Sequence, residues 1–202
     1  MMVLGLTGSI GMGKSTVAAM LAQMGVPCHD SDAEARAAIG PGGAAVAAVA
    51  QLFPQAFDAK AGAIDRKFLG PIVFADPAKR TALEAAVHPH VRAAQQEFLK
   101  AQKALGAKIV ALDIPLLYET GADARVDRVI VVTCPSFIQR RRVLARPGMT
   151  EEKFHAILKA QMPDAEKRRR ADYVVQTGLG FAFTRAALKR LLNELKKSSC
   201  HD

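Results

Sequence analysis

Residues 8–15 read Gly8-Ser9-Ile10-Gly11-Met12-Gly13-Lys14-Ser15, which has the spacing G-x-x-x-x-G-K-[ST]. This is the pattern of a glycine-rich loop that cradles phosphate. An apolar run, Val3 to Thr7, precedes it, and a helix-forming stretch, Lys14 to Gln23, follows. Strand, loop and helix in that order suit the chemistry. Glycines let successive N–H groups face an anion, and the helix N-terminus adds a partial positive charge. Lys14 in such a loop reaches the β- and γ-phosphates of a purine nucleoside triphosphate, and the Ser15 hydroxyl can ligate Mg²⁺.

Outward from this loop, the apolar runs are short and do not alternate: Val26 to His29, Lys108 to Asp113, Arg128 to Thr133 and Tyr173 to Gln176. Such runs fit strands covered on both faces, as in a parallel sheet. Helical patterns lie over Ala78–Leu105, Ser136–Ala145, Glu151–Gln161 and Phe181–Lys197, with Thr150 as an N-cap after the Pro147-Gly148 turn. The alternation predicts an α/β fold with right-handed crossovers. The stretch Ala33 to Ala107 holds no convincing strand and reads as a helical insertion. A second helical insertion covers Phe137 to Ala171. Gly40 to Gly43 is a loop, and Lys196 to Asp202 reads as a frayed tail.

Composition narrows the class. The chain has 202 residues, 50% hydrophobic and 23% charged, which excludes a largely disordered chain. No apolar run approaches the ~18 residues that cross a bilayer, and Met1 to Gly8 lacks the basic start and cleavage site of a signal peptide. Three cysteines, Cys28, Cys134 and Cys200, are too scattered for a disulfide framework, so a cytoplasmic protein with reduced thiols is expected. The formal net charge is +9. Residues 1–136 hold 13 basic and 12 acidic side chains, whereas residues 137–202 hold 15 and 7. A basic chain suggests a polyanionic partner: nucleic acid, a membrane surface or a phosphorylated small molecule. Aromatics are only 5% with no Trp, which leaves out the stacking platforms of single-strand binders, and no N-K-x-D guanine-reading motif is present. Neither a nucleic-acid nor a membrane partner is expected.

Several side chains are candidates for chemistry. Asp30 and Asp32 follow the second strand, on the carboxyl side where ligands bind in parallel sheets. Asp32 there serves equally as a general base for an attacking hydroxyl or as the cap of a helix beginning at Ala33. Asp113 ends an apolar strand, the pattern of a carboxylate that holds Mg²⁺ directly or through water; a solvated loop Asp is the alternative. Arg140, Arg141, Arg142 and Arg146 lie on a predicted helix, with Arg142 and Arg146 four apart on one face, able to close over phosphates. Lys167 to Arg170 reads as a solvated charge run, and His88 as a structural histidine or a ligand.

Together these motifs resemble the bacterial dephospho-coenzyme A kinase family. The match covers nearly the whole chain: Gly5 to Val17, Asp30-Ser31-Asp32 with Arg36, Arg66, Ile72-Val73-Phe74, Leu83-Glu84, His88-Pro89, Asp113-Ile114-Pro115-Leu116-Leu117-Tyr118-Glu119, Gln139, Arg142, Arg146, Gln161 and Ala171-Asp172. The loop alone is shared by many families, but these motifs in this order are specific. The sequence departs at Ser9, where Gly is usual, at Pro54, and at Thr177, where Asn is frequent.

The resemblance implies a P-loop kinase fold: a five-stranded parallel sheet of order 2-3-1-4-5 flanked by helices, with core 1–35, 107–136 and 172–202, an acceptor-binding insertion 36–106 and a lid 137–171. It implies ATP-dependent phosphorylation of the ribose 3′-hydroxyl of dephospho-CoA, the last step of CoA synthesis. Asp32 would take the ribose proton, with Lys14 and Arg142 stabilising charge. ATP would be bound by Gly8, Ile10, Gly11, Met12, Gly13, Lys14, Ser15, Thr16, Arg142 and Arg146, and Mg²⁺ by Ser15 and Asp113. Dephospho-CoA would be bound by Asp32, Arg36, Arg66, His88, Pro115, Leu116, Leu117, Tyr118 and Glu119. A small-molecule kinase acting on a nucleoside or nucleotide is the alternative reading.

Overall fold

The structure is a computed structural model that describes residues 1–198. The chain folds as two compact units, residues 1–29 with 102 onward, and residues 30–101.

In chain order the main elements are β1 (Met2–Thr7), α1 (Lys14–Gln23), β2 (Cys28–Asp30), α2 (Ser31–Ala38), α3 (Val46–Leu52), α4 (Arg66–Ala75), α5 (Pro77–Ala104), β3 (Ile109–Asp113), β4 (Arg128–Thr133), α6 (Ser136–Leu144), α7 (Glu151–Ala160), α8 (Asp164–Arg170), β5 (Tyr173–Gln176) and α9 (Phe181–Ser198). The five strands form one sheet in the order β2-β3-β1-β4-β5, the expected 2-3-1-4-5. The pairings of β1 with β3, β1 with β4, and β4 with β5 are all parallel.

The first unit owes this sheet to its apolar strands. Every residue of β3 is buried, as are Val129 to Thr133 of β4. Their parallel pairing satisfies strand backbone groups within the sheet, which suits strands covered by helices on both faces. Leu4, Leu6, Val17, Leu21, Ile130, Leu188 and Leu195 are buried in the core that joins β1 to α1 and α9. The register sets Leu6 of β1 beside Asp113 of β3, so both strands end at the edge from which the glycine-rich loop rises.

The second unit has its own core, in which Ile39, Val49, Phe53, Leu69, Val87 and Val91 pack together. A buried hydrogen bond from Gln95 Nε2 to Ser31 Oγ, 2.8 Å, ties α5 to α2. Asp65 caps α4, its carboxylate accepting from the Lys67 and Phe68 amides.

Some sequence expectations need correction. The second strand begins at Cys28 rather than Val26. The insertion expected to lack strands contains a two-residue antiparallel ladder, Phe57–Asp58 with Ala63–Ile64, too short for periodicity to reveal. α6 ends at Leu144 with Ala145 as its C-cap, not within the helix, shortly before Pro147, which cannot continue it. Of the expected frayed tail, Lys196 to Ser198 continue α9; residues 199–202, Cys200 among them, lie outside the described residues. Among the described residues, no helix is long and apolar enough to cross a membrane.

Candidate active site

The loop closes tightly on its own unit. A Cβ on Gly8 would stand 2.6 Å from the Val132 carbonyl oxygen, so only glycine lets β1 turn here. Gly13 has φ +91°, the left-handed region that glycine enters freely. It sits at the N-cap of α1, which has no side-chain cap and no acidic residue in its first turn. The first amides of α1 are therefore left for an anion, and the helix dipole favours one.

Lys14 makes an ion pair with Asp113. The parallel register of β1 and β3 brings the two together from 99 residues apart. Both side chains are largely enclosed, 17% and 8% exposed, so the cation is already oriented at the mouth of the loop. The Thr7 hydroxyl donates to the Pro115 carbonyl at 2.9 Å and joins the same two strand ends. Ser15 and Asp113 offer hard oxygen donors, which suit Mg²⁺. Among the described residues no cluster of three or more His, Cys, Asp or Glu could hold a metal.

Arg142 of α6 is fixed rather than free. Its guanidinium donates to the Thr177 hydroxyl and to the Thr177 carbonyl, each at 2.9 Å. The Thr177 hydroxyl in turn donates to the Met12 carbonyl at 2.6 Å, and a Cβ on Gly13 would meet the Thr177 oxygen at 3.0 Å. Thr177, a departure from the resembling family, therefore links the loop to the arginine. Arg146 does not share Arg142's helical face: it lies exposed beyond the end of α6. Arg140 pairs with Glu151.

The expected solvated run Lys167 to Arg170 is overturned at its first residue. The Lys167 side chain is 0% exposed and lies 2.8 Å from the Glu119 carboxylate. Arg170 stacks over the Tyr118 ring at 4.4 Å and pairs with Asp123 at 3.0 Å. Burial raises the Tyr118 hydroxyl above its ordinary pKa, an effect the Arg170 charge opposes. Glu119 also accepts from the Met162 amide at 2.8 Å. Leu117 is fully buried, and a Cβ on Gly5 would meet it at 2.5 Å. Leu117, Tyr118 and Glu119 thus hold their own unit together, whereas Pro115 and Leu116 are only partly buried.

In the second unit the helix cap is Asp30, whose carboxylate accepts from the Ala33 amide at 2.9 Å. α2 starts at Ser31, not Ala33. Asp32 is therefore not the cap; it is exposed in the first turn. Arg36, 46% exposed, lies 3.6 Å from Asp30. Arg66 is exposed at the start of α4, and His88 is partly buried on α5, just before Pro89.

The model of the dephospho-CoA kinase family matches residues 2–180. This chain belongs to the dephospho-CoA kinase family. The dephospho-CoA kinase of Rhizobium meliloti is 50% identical over 196 residues, which cover 97% of this chain and 99% of that one. A crystal structure of a Thermus thermophilus protein matches with a TM-score of 0.83 at 41% identity, covering 96% and 97% of the two chains. The Campylobacter jejuni dephospho-CoA kinase structure matches at 0.72 and 26%, covering 98% of each. This dephospho-CoA kinase family member has the P-loop kinase fold that its motifs imply. Sequence reasoning missed what Thr177 and Lys167 do. The signal for Lys167 was faint: one cation in four adjacent ones faces inward, one turn after the apolar Pro163.

Proposed function

We propose that this chain phosphorylates the ribose 3′-hydroxyl of dephospho-CoA with ATP, giving CoA and ADP. The family match over residues 2–180 carries the reading. The uncapped start of α1, with Lys14 held beside it, supplies the site for a triphosphate.

In this reading ATP is bound at Gly8, Ile10, Gly11, Met12, Gly13, Lys14, Ser15 and Thr16, with the Lys14 ammonium on its phosphates and Arg142 and Arg146 neutralising charge on the transferring group. Ser15 and Asp113 hold Mg²⁺, which when bound neutralises charge on the phosphate oxygens. Lys14 then exchanges its contact with Asp113 for the phosphates. Asp32, exposed and not engaged as the cap of α2, accepts the proton of the 3′-hydroxyl. The hydroxyl oxygen bonds to the γ-phosphorus as the bond to the bridging oxygen breaks, and ADP leaves. Arg36, Arg66 and His88 bind the acceptor from the acceptor-binding region of residues 36–106, and the segment Pro115 to Glu119 supplies further acceptor contacts. Residues 137–171 act as the lid that excludes water from the transfer. The cytoplasm is the compartment that fits reduced Cys28 and Cys134.

A coupled ADP-release assay with dephospho-CoA, with the product checked by mass for one added phosphate, tests the reading. Mg²⁺-dependent formation of CoA is expected. Phosphorylation of a nucleoside or nucleoside monophosphate, with dephospho-CoA left untouched, would overturn it.

A further inference from the structure

Two glutamines that the proposed chemistry does not use meet on the backbone of one residue of the glycine-rich loop. Gln139 of α6 is 5% exposed, and its Nε2 donates to the Ile10 carbonyl at 2.8 Å. Gln161, at the C-cap of α7, accepts from the Ile10 N–H through Oε1 at 3.1 Å. The two side chains are 22 residues apart in sequence, yet they satisfy both polar groups of a single loop residue.

The surroundings make this contact rigid on one side. A Cβ on Gly11 would lie 2.5 Å from the Val143 side chain and 3.1 Å from the Gln139 carbonyl, so α6 is packed directly against the loop. On the other side, Gln161 is followed by Met162, whose amide donates to Glu119, the partner of buried Lys167. The backbone of Ile10 is thus tied to α6 through Gln139 at its carbonyl and to the α7–α8 junction through Gln161 at its N–H. A glycine-rich loop has large conformational freedom to lose when it orders around an anion. A loop held in advance avoids that cost at the moment of binding.

We propose that Gln139 and Gln161 are a pair of positioning residues that clamp the backbone of Ile10 from both sides and preorganise the loop for the triphosphate. The clamp couples order in the segment 137–171 to order in the loop. Its contribution lies in nucleotide affinity rather than in the transfer step, since a bound triphosphate holds the loop itself. The inference rests on ATP being the donor. It is read by ATP affinity measured without acceptor, so it stands or falls apart from the acceptor's identity.

The test compares wild type with Gln139→Met, Gln161→Met and the double variant, which keep side-chain length and lose the amide. ATP affinity is measured by equilibrium titration, KM for ATP and kcat by ADP release, and the thermal midpoint without nucleotide. Each single variant is expected to weaken ATP binding and raise KM about tenfold, the scale of one hydrogen bond to an ordered peptide, with kcat within about twofold. The double variant is expected to match the weaker single one, because losing either tie already frees the backbone of the same residue. Unchanged ATP affinity would overturn the clamp. So would multiplying losses in the double variant, which would mean two independent contacts. A fall in kcat that tracks a lowered thermal midpoint would also overturn it, making both glutamines simple packing residues.

Discussion

The Lys167 ammonium lies 2.8 Å from the Glu119 carboxylate, with the lysine side chain wholly enclosed and the glutamate side chain 18% exposed. The pair joins α8 to the segment that follows β3. Breaking such a pair from one side leaves a charge without its partner in a poorly solvated place, which costs more than removing the charge itself.

Glu119→Ala is therefore expected to destabilise the protein by about 3 kcal/mol. Lys167→Met, which removes the buried charge and keeps the apolar stem, should cost clearly less. Urea unfolding of the two variants checks the order. Equal losses would show that packing, not charge, sets the role of Lys167.

Thr177 ties Arg142 to the Met12 carbonyl. Thr177→Val keeps the shape but removes the hydroxyl, and it should raise KM for ATP about tenfold. Thr177→Ser should restore most of the affinity. A serine variant as impaired as the valine one would place the effect in the lost methyl group.

Asp32→Asn tests the proposed base. Turnover with dephospho-CoA should fall by about 10²–10⁴, the usual contribution of a positioned base, while equilibrium ATP binding stays close to wild type. Near-normal turnover would assign the proton to another acceptor.

Cys28 is a partly buried thiol, and loss of solvent around it, reinforced by the Asp113 charge, raises its pKa to about 11. An unfolded thiol ionises near 8.5. The folded state therefore holds its proton where the unfolded state has lost it, and stability falls as pH rises through that window towards 11. Urea midpoints of wild type should drop more steeply than those of Cys28→Ala above about pH 9. In the native protein, alkylation of Cys28 near pH 8 should be far slower than in urea, as read by mass spectrometry.

Much of the fold was legible because its signals are local. The loop at Gly8 to Ser15, the apolar strands β3 and β4, and the Thr150 cap of α7, whose hydroxyl accepts from Lys153, each follow from a few neighbouring residues. The strand order came with the motif resemblance rather than from periodicity. The ladder at Phe57 and Ile64 and the short α8 escaped because two to seven residues hold too little pattern to read.

By itself the sequence determined the phosphate loop, the α/β class and the family, since these rest on residue type and spacing. Only the tertiary structure decided what individual polar groups do. Asp30 rather than Asp32 caps α2. Lys167 is buried while the adjacent Arg168 is half exposed. Thr177 and two distant glutamines fasten the loop. The reason is physical: a buried donor or charge takes its meaning from the partner that replaces water, and those partners, up to 165 residues away for Thr177 and Met12, are brought to it only when the sheet and its helices have packed.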